Sequence, residues 1–231
     1  MREICANGCQ AGFKRISDNS AAIGMKVNPT KTQLLCVSGA SYCETNCHFF
    51  ADGVKISSQP SMTLLGFCFG NRPTVEDHIH LIQKKFNSRS WLPRHLRNAG
   101  VPQEDIVKIY ASTIRSVVEY AVPVYHPLLT ANQADKLESL QRRALKSIFD
   151  PKTSYREALE RSGLDTLQQR RESIFRKFCM KTSQNSLFYH WLHKNPPSAY
   201  NLRKENRYVE FHARSERLKK SPLFAMRRAA Y

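Results

Sequence analysis

Acidic residues are scarce in this chain: 19 Asp and Glu face 36 Lys and Arg among 231 residues, a formal net charge of +17. No apolar run reaches the roughly 18 residues of a membrane-spanning helix, so no span is expected. The stretch from Met1 to Gln10 lacks the apolar core of a signal peptide, and nothing in it argues for secretion. No internal repeat is evident, and no zinc finger or other base-reading motif is seen. What remains is an ordinary globular composition, 41% hydrophobic and 24% charged, long enough for one sizeable core or two small ones.

The missing acid is the first clue to a partner. An excess of this size calls for nucleic acid, an anionic membrane surface or an acidic protein. It is also uneven. Residues 1–70 hold 6 Lys/Arg against 4 Asp/Glu, residues 71–154 hold 13 against 8, and residues 155–231 hold 17 against 7. The basic character therefore belongs to the second half, and most to the last third.

Seven cysteines form an odd set in a chain without a secretion signal, and free intracellular thiols are expected. Cys5 and Cys9, with Cys43, Cys47 and His48, can be drawn as a zinc site. Their spacing is wider than the two-residue gap of many structural zinc pairs. Small, partly buried thiols are the preferred reading.

Periodicity divides the chain into a sheet-forming part and a helical part. Residues 3–23 read as a helix ending near Gly24, followed by a Gly/Asn/Pro-rich connector. The apolar run 33–38 reads as a strand. His48 to Ile56 reads as two strands joined at Asp52-Gly53, and Met62 to Gly70 as one more strand. Beyond Pro73 the pattern changes. Thr74, Glu76 and Asp77 open a helix that should stop or kink before Pro93. Pro102 opens another, with Ile106, Ile109, Tyr110, Thr113, Ile114, Val117 and Ala121 at helical spacing, ending before Pro123. Thr130 starts a third, with Ala134, Leu137, Leu140, Ala144 and Ile148 on one face and Pro151 closing it. Tyr155 to Arg161 is short, with Gly163 at its stop. Leu167, Ile174, Phe175 and Phe178 mark one more, and residues 187–193 a last short turn. From Asn195 onward the chain is polar and basic and is expected to be a poorly ordered or partner-dependent tail.

Several of these segments resemble, in order, the carboxy-terminal part of a LINE-type non-LTR retrotransposon reverse transcriptase. Gly24 to Leu35 looks like motif D. Leu64 to Gly70 resembles motif E, the primer grip. Ile109 to Thr130 is similar to the thumb segment. Leu137 to Phe149 and Gly163 to Phe175 resemble the helices after it. The resemblance covers roughly residues 15–205. It implies an α+β fold with a small antiparallel palm-sheet remnant over 1–72, a mainly helical thumb and connector over 73–194, and a basic tail over 195–231.

The resemblance also implies what this sequence does not carry. In the family, one aspartate of motif A and two of an (F/Y)xDD box hold two Mg2+ ions. Those ions activate the attacking 3′-hydroxyl and stabilise the leaving pyrophosphate. The box precedes motif D, so it would fall before Met1. Asp52 in Phe49-Phe50-Ala51-Asp52-Gly53 mimics the box, but Asp-Gly between β-prone runs reads as a turn. No cofactor is therefore expected here, Mg2+ belonging to the complete enzyme, and no small-molecule substrate or membrane either. The expected partner is the backbone of an RNA or DNA duplex or hybrid, held without polymerisation.

The candidate contacts follow from these matches and from charge. Lys31 matches the motif D lysine, which in the family is placed near the nucleotide phosphates; with no palm, a solvated lysine is expected. Gly66 and Gly70 bracket the primer-grip strand, allowing either close approach of a primer or a bulge or strand end. Arg170, Lys177 and Lys181 share one flank of their helix, as Lys136 and Arg143 do on the preceding long helix. Such stripes either follow a phosphate backbone or form a solvated face. Arg171 lies towards the apolar side and reads as structural, with a carboxylate partner or a capping role. Trp91, Tyr125 and Trp191 can stack on bases or pack in the core. His78, His80, His190 and His193 have no ligand-type companions. Two rivals stand beside this reading: an inert or interaction protein, either the decayed product of such an element with no role or a domesticated helical module that binds protein, and an enzyme completed by a separate palm.

Overall fold

The computed structural model describes residues 2–37, 47–72, 74–185, 219 and 221–229. It is an α+β protein with two small antiparallel sheets and a helical array. Two compact units divide after His78, and no helix among the described residues is long and apolar enough to cross a membrane.

The first unit begins with helix α1, Arg2–Ala22. Gly24, at φ 74°, ends it, and Asn28 caps a 3-10 turn at Pro29–Lys31 through the Thr30 amide. Strands β1 (His48–Ala51) and β2 (Val54–Ser57) form a hairpin. Its turn is Asp52-Gly53, both at positive φ, as the Asp-Gly pair predicts. Phe49, Ala51 and Ile56 make a small core against Phe13, Cys9 and Leu34.

Two sequence expectations fail in this unit. The run 33–38 does not form a strand within its described residues. Leu34 makes a single parallel bridge to Ser58, and the Cys36 amide is taken by the Ser58 hydroxyl at 3.0 Å. The segment 62–70 is not one strand but a hairpin, β3 (Ser61–Leu64) and β4 (Phe67–Gly70). Leu65 at φ 49° and Gly66 at φ 79° turn the chain with the left-handed geometry that suits a two-residue hairpin loop. The result is two separate two-stranded sheets rather than one.

Helix α2, Glu76–Asn87, carries the chain into the second unit. Its Ile79, Ile82 and Phe86 lie at i, i+3 and i+7 and are buried, the spacing of one helical face. Helix α3 is Trp91–Asn98. Helix α2 stops at Asn87, before Pro93 as expected, and Pro93 itself sits in the first turn of α3, where its missing N–H has no helical partner to lose.

Next come α4 (Gln103–Ile109), a π-helical turn (Tyr110–Arg115) and α5 (Ser116–Glu119). Ile106, Tyr110, Ile114, Val118 and Val122 are all fully buried, each four residues from the next. An ideal α-helix would drift by about 40° per four residues, so the face would rotate out of the core. The wider π turn absorbs that drift. The expected face placed Val117 inside; the inserted turn places Val118 there instead.

Ala121, at φ 57°, breaks the chain before α6, Val122–Tyr125. A capping box of Thr130 and Gln133 opens α7, Ala131–Ile148. Ser154 caps α8, Tyr155–Ser162, and Gly163 at φ 64° stops it. Helix α9 is Leu167–Asn185. Its inward stripe is Leu167, Arg171, Phe175, Cys179 and Thr182. The tail expectation is corrected for part of its length: Pro222–Ala229 forms a helix, α10. It packs near α9 and α6, and Met226 is buried, so apolar area outweighs the basic flanks there. The segment 187–193, and with it Trp191, His190 and His193, lies outside the described residues, as does Cys43.

Candidate nucleic-acid interface

The candidate cations of the helical unit lie on α3, α7 and α9. On α9, Lys177 and Lys181 lie one turn apart and both are exposed. Neither forms an ion pair among the described residues. Arg170 differs from the free flank cation expected. Its Nε donates to Glu119 Oε1 at 2.9 Å and its Nη2 to Glu119 Oε2 at 3.0 Å. The reason is tertiary: the fold returns the start of α9 to Glu119, 51 residues away in sequence. Glu119 also holds the buried Arg115, Nε to Oε1 at 3.0 Å. One carboxylate thus serves two guanidinium groups.

Arg171 is structural, as its apolar-side position predicts, and only 2% exposed. It gains no carboxylate hydrogen bond. Among the described residues its Nε and Nη1 find no partner. Burial lowers its pKa, opposed through space by Tyr125, Glu138 and Glu172.

On α7, Lys136 is half-buried and Arg143 exposed. Arg143 Nη2 donates to Asn87 Oδ1 at 2.9 Å, which holds the guanidinium beside a groove between α3 and α7. This groove, about 530 Å³, has Phe86 and Ala144 in its lining and is edged by Trp91, Arg94, His95, Asn98, Arg143 and Ser147. No carboxylate lines it. Trp91 is 60% exposed and meets the His95 ring edge-on, centroids 5.7 Å apart. Arg143 and Trp91 are legible as separate candidates in the sequence. Arg94 and His95 are not singled out there, although 91, 94, 95 and 98 fall at i, i+3, i+4 and i+7 on one helix face. Tyr125, by contrast, is fully buried, and its hydroxyl donates to the Val118 carbonyl.

In the first unit, Lys31 is exposed at the end of its 3-10 turn. Gly66 occupies the β3–β4 turn. Gly70 marks a close approach of the chain to itself: a Cβ there would lie 2.5 Å from Asp77 Oδ2. His78 is buried and stacked on Phe67, centroids 4.0 Å apart.

The ligand set for the magnesium ions of the resembled enzymes does not assemble among the described residues. No three His, Cys, Asp or Glu side chains gather there to hold a metal. Asp52 is a turn residue with Lys26 Nζ at 3.5 Å. Comparison with protein families, with curated proteins and with solved structures finds no match.

Proposed function

We propose that this chain is the template–primer-holding part of a LINE-type reverse transcriptase, retaining motif D and E remnants and the thumb and connector but not the catalytic aspartates. On this reading it grips the backbone of duplex or hybrid nucleic acid and does not polymerise. The sequence contains no two adjacent aspartates, and incorporation of nucleotides by the isolated chain is not expected.

The observation that carries the reading is the exposed pair Lys177 and Lys181 on α9, without ion-pair partners among the described residues, within a unit that holds most of the net charge. Phosphate contacts of this kind position a duplex without reading its sequence. They also release counterions, so the logarithm of the binding constant falls linearly with the logarithm of salt, with a slope of roughly −0.9 per phosphate contacted on B-DNA.

The test is a salt titration of duplex binding by anisotropy. Replacing Lys177 and Lys181 together by Ala should weaken binding to all sequences and flatten the slope by roughly 0.9 for each phosphate no longer neutralised. Replacing Lys14 and Arg15 of α1 should do less, because that part of the chain is nearly neutral. Equal slopes in all three proteins would remove α9 from the interface. Absence of binding at low salt would favour the inert or protein-binding rival.

A further inference from the structure

The groove between α3 and α7 has a composition that duplex-backbone binding does not require. A duplex offers phosphates to cations, but its bases are already stacked and paired. It has no free ring face for an exposed indole. Trp91 is 60% exposed, and its one ring neighbour among the described residues, His95, is T-shaped to it, so no ring is stacked on the indole there. The surrounding groups are cationic or neutral, Arg94, Arg143, Asn98 and Ser147 among them, and none is an acid. Arg143 is already oriented by Asn87. Arg94 has no hydrogen-bond partner among the described residues.

We infer that this groove is a site for an unpaired nucleotide. Its base stacks on Trp91, its phosphates lie against the guanidinium forks of Arg94 and Arg143, and Asn98 and Ser147 supply polar contacts. Stacking on an aromatic face works for any base, and planar guanidinium groups match phosphate oxygens in pairs. A groove of about 530 Å³ is within the range of sites that hold small molecules and has room for a single nucleotide. The function is to capture a single-stranded stretch or frayed end next to the duplex that the helical unit grips. This inference rests on the nucleic-acid-binding reading but concerns a different part of the surface from Lys177 and Lys181.

The experiment uses the full chain with Trp191→Phe, which leaves Trp91 as the one tryptophan of the two present. Its fluorescence is followed while adding a short oligothymidylate, an abasic oligonucleotide of equal charge, or a blunt duplex. Quenching by the oligothymidylate and little by the other two is expected. Read by the anisotropy of a labelled strand, Trp91→Ala should weaken oligothymidylate binding about tenfold while leaving duplex binding and its salt slope unchanged. Arg94→Ala with Arg143→Ala should weaken it further and reduce its salt dependence. Equal quenching by the abasic strand would overturn the site, since charge alone would then explain it. Duplex binding with no oligothymidylate binding would overturn the site but leave the proposed function standing. Loss of both in the parent would overturn both.

Discussion

The guanidinium of Arg170 lies side-on against the carboxylate of Glu119, with both oxygens engaged, at 2.9 and 3.0 Å. Glu119 also neutralises Arg115, whose side chain is 5% exposed. Removing the shared acid leaves an uncompensated charge inside the helical unit. Glu119→Ala should therefore destabilise the protein by about 3 kcal/mol or more, read as a lower urea midpoint at unchanged slope. Arg170→Ala, at a half-exposed position, should cost about 1 kcal/mol and leave the salt dependence of nucleic-acid binding as it was. A flattened salt slope in Arg170→Ala would instead make Arg170 a phosphate contact.

A polar chain crosses the same core. Tyr110 donates to Gln141 Oε1 at 3.2 Å, and Gln141 Nε2 donates to the Tyr155 hydroxyl and to the Asp165 carbonyl, each at 3.0 Å. Tyr155 donates onward to Glu138, which accepts the Leu167 and Gln168 amides at the start of α9. Gln141 is fully buried. Gln141→Leu keeps the volume but strands a hydroxyl and a carbonyl, which should cost about 3 kcal/mol. Gln168→Leu, exposed on α9, should change stability by no more than about 0.5 kcal/mol. Similar costs for the two would mean that the buried network contributes nothing specific.

Stability should fall on both sides of neutral pH. Burial lowers the His126 imidazole, helped by Arg171 and opposed by Glu172. A depressed folded value gives stability that is complete above the unfolded value, about 6.5, and is lost as pH falls through the folded one. Burial raises Tyr110, Tyr125 and Tyr155, with Glu138 adding to the last. Raised folded values give stability that is complete below the unfolded value, about 10, and is lost as pH rises beyond it. Denaturant midpoints across pH should trace both limbs, and His126→Gln should shrink the acid one. An acid limb of unchanged size in that variant would remove His126 as its source.

The β3–β4 turn can be improved. Leu65 is 84% exposed and sits at φ 49°, a conformation that costs a leucine about 1 kcal/mol. Leu65→Asn would create the Asn-Gly pair that this turn geometry favours. Amide exchange at Phe67 and Phe69 should slow by about threefold or more. Faster exchange would show that the leucine side chain holds the hairpin by contacts that outweigh its backbone strain.

Local chemistry made much of this protein legible from the sequence. Asp52-Gly53 turns because both residues tolerate positive φ. Thr130 starts α7 because its hydroxyl satisfies a free amide of the first turn. Gly163 stops α8, and the apolar spacings of α2 and α7 face inward because burial is periodic. Charge scarcity of one sign told where cations would concentrate. Other features were settled only by contacts between distant residues. Leu65-Gly66 divides what reads as one apolar strand, because hairpin pairing repays an unfavourable leucine conformation. The π turn at Tyr110–Arg115 keeps a four-residue stripe on the core, and no local propensity calls for it. Arg170 and Lys177 are alike as sequence, two turns apart on one face. Glu119, 51 residues from Arg170, makes the first an internal ion pair and leaves the second to solvent. The groove arises in the same way: Trp91 and Arg143 acquire a common site only when α3 lies against α7.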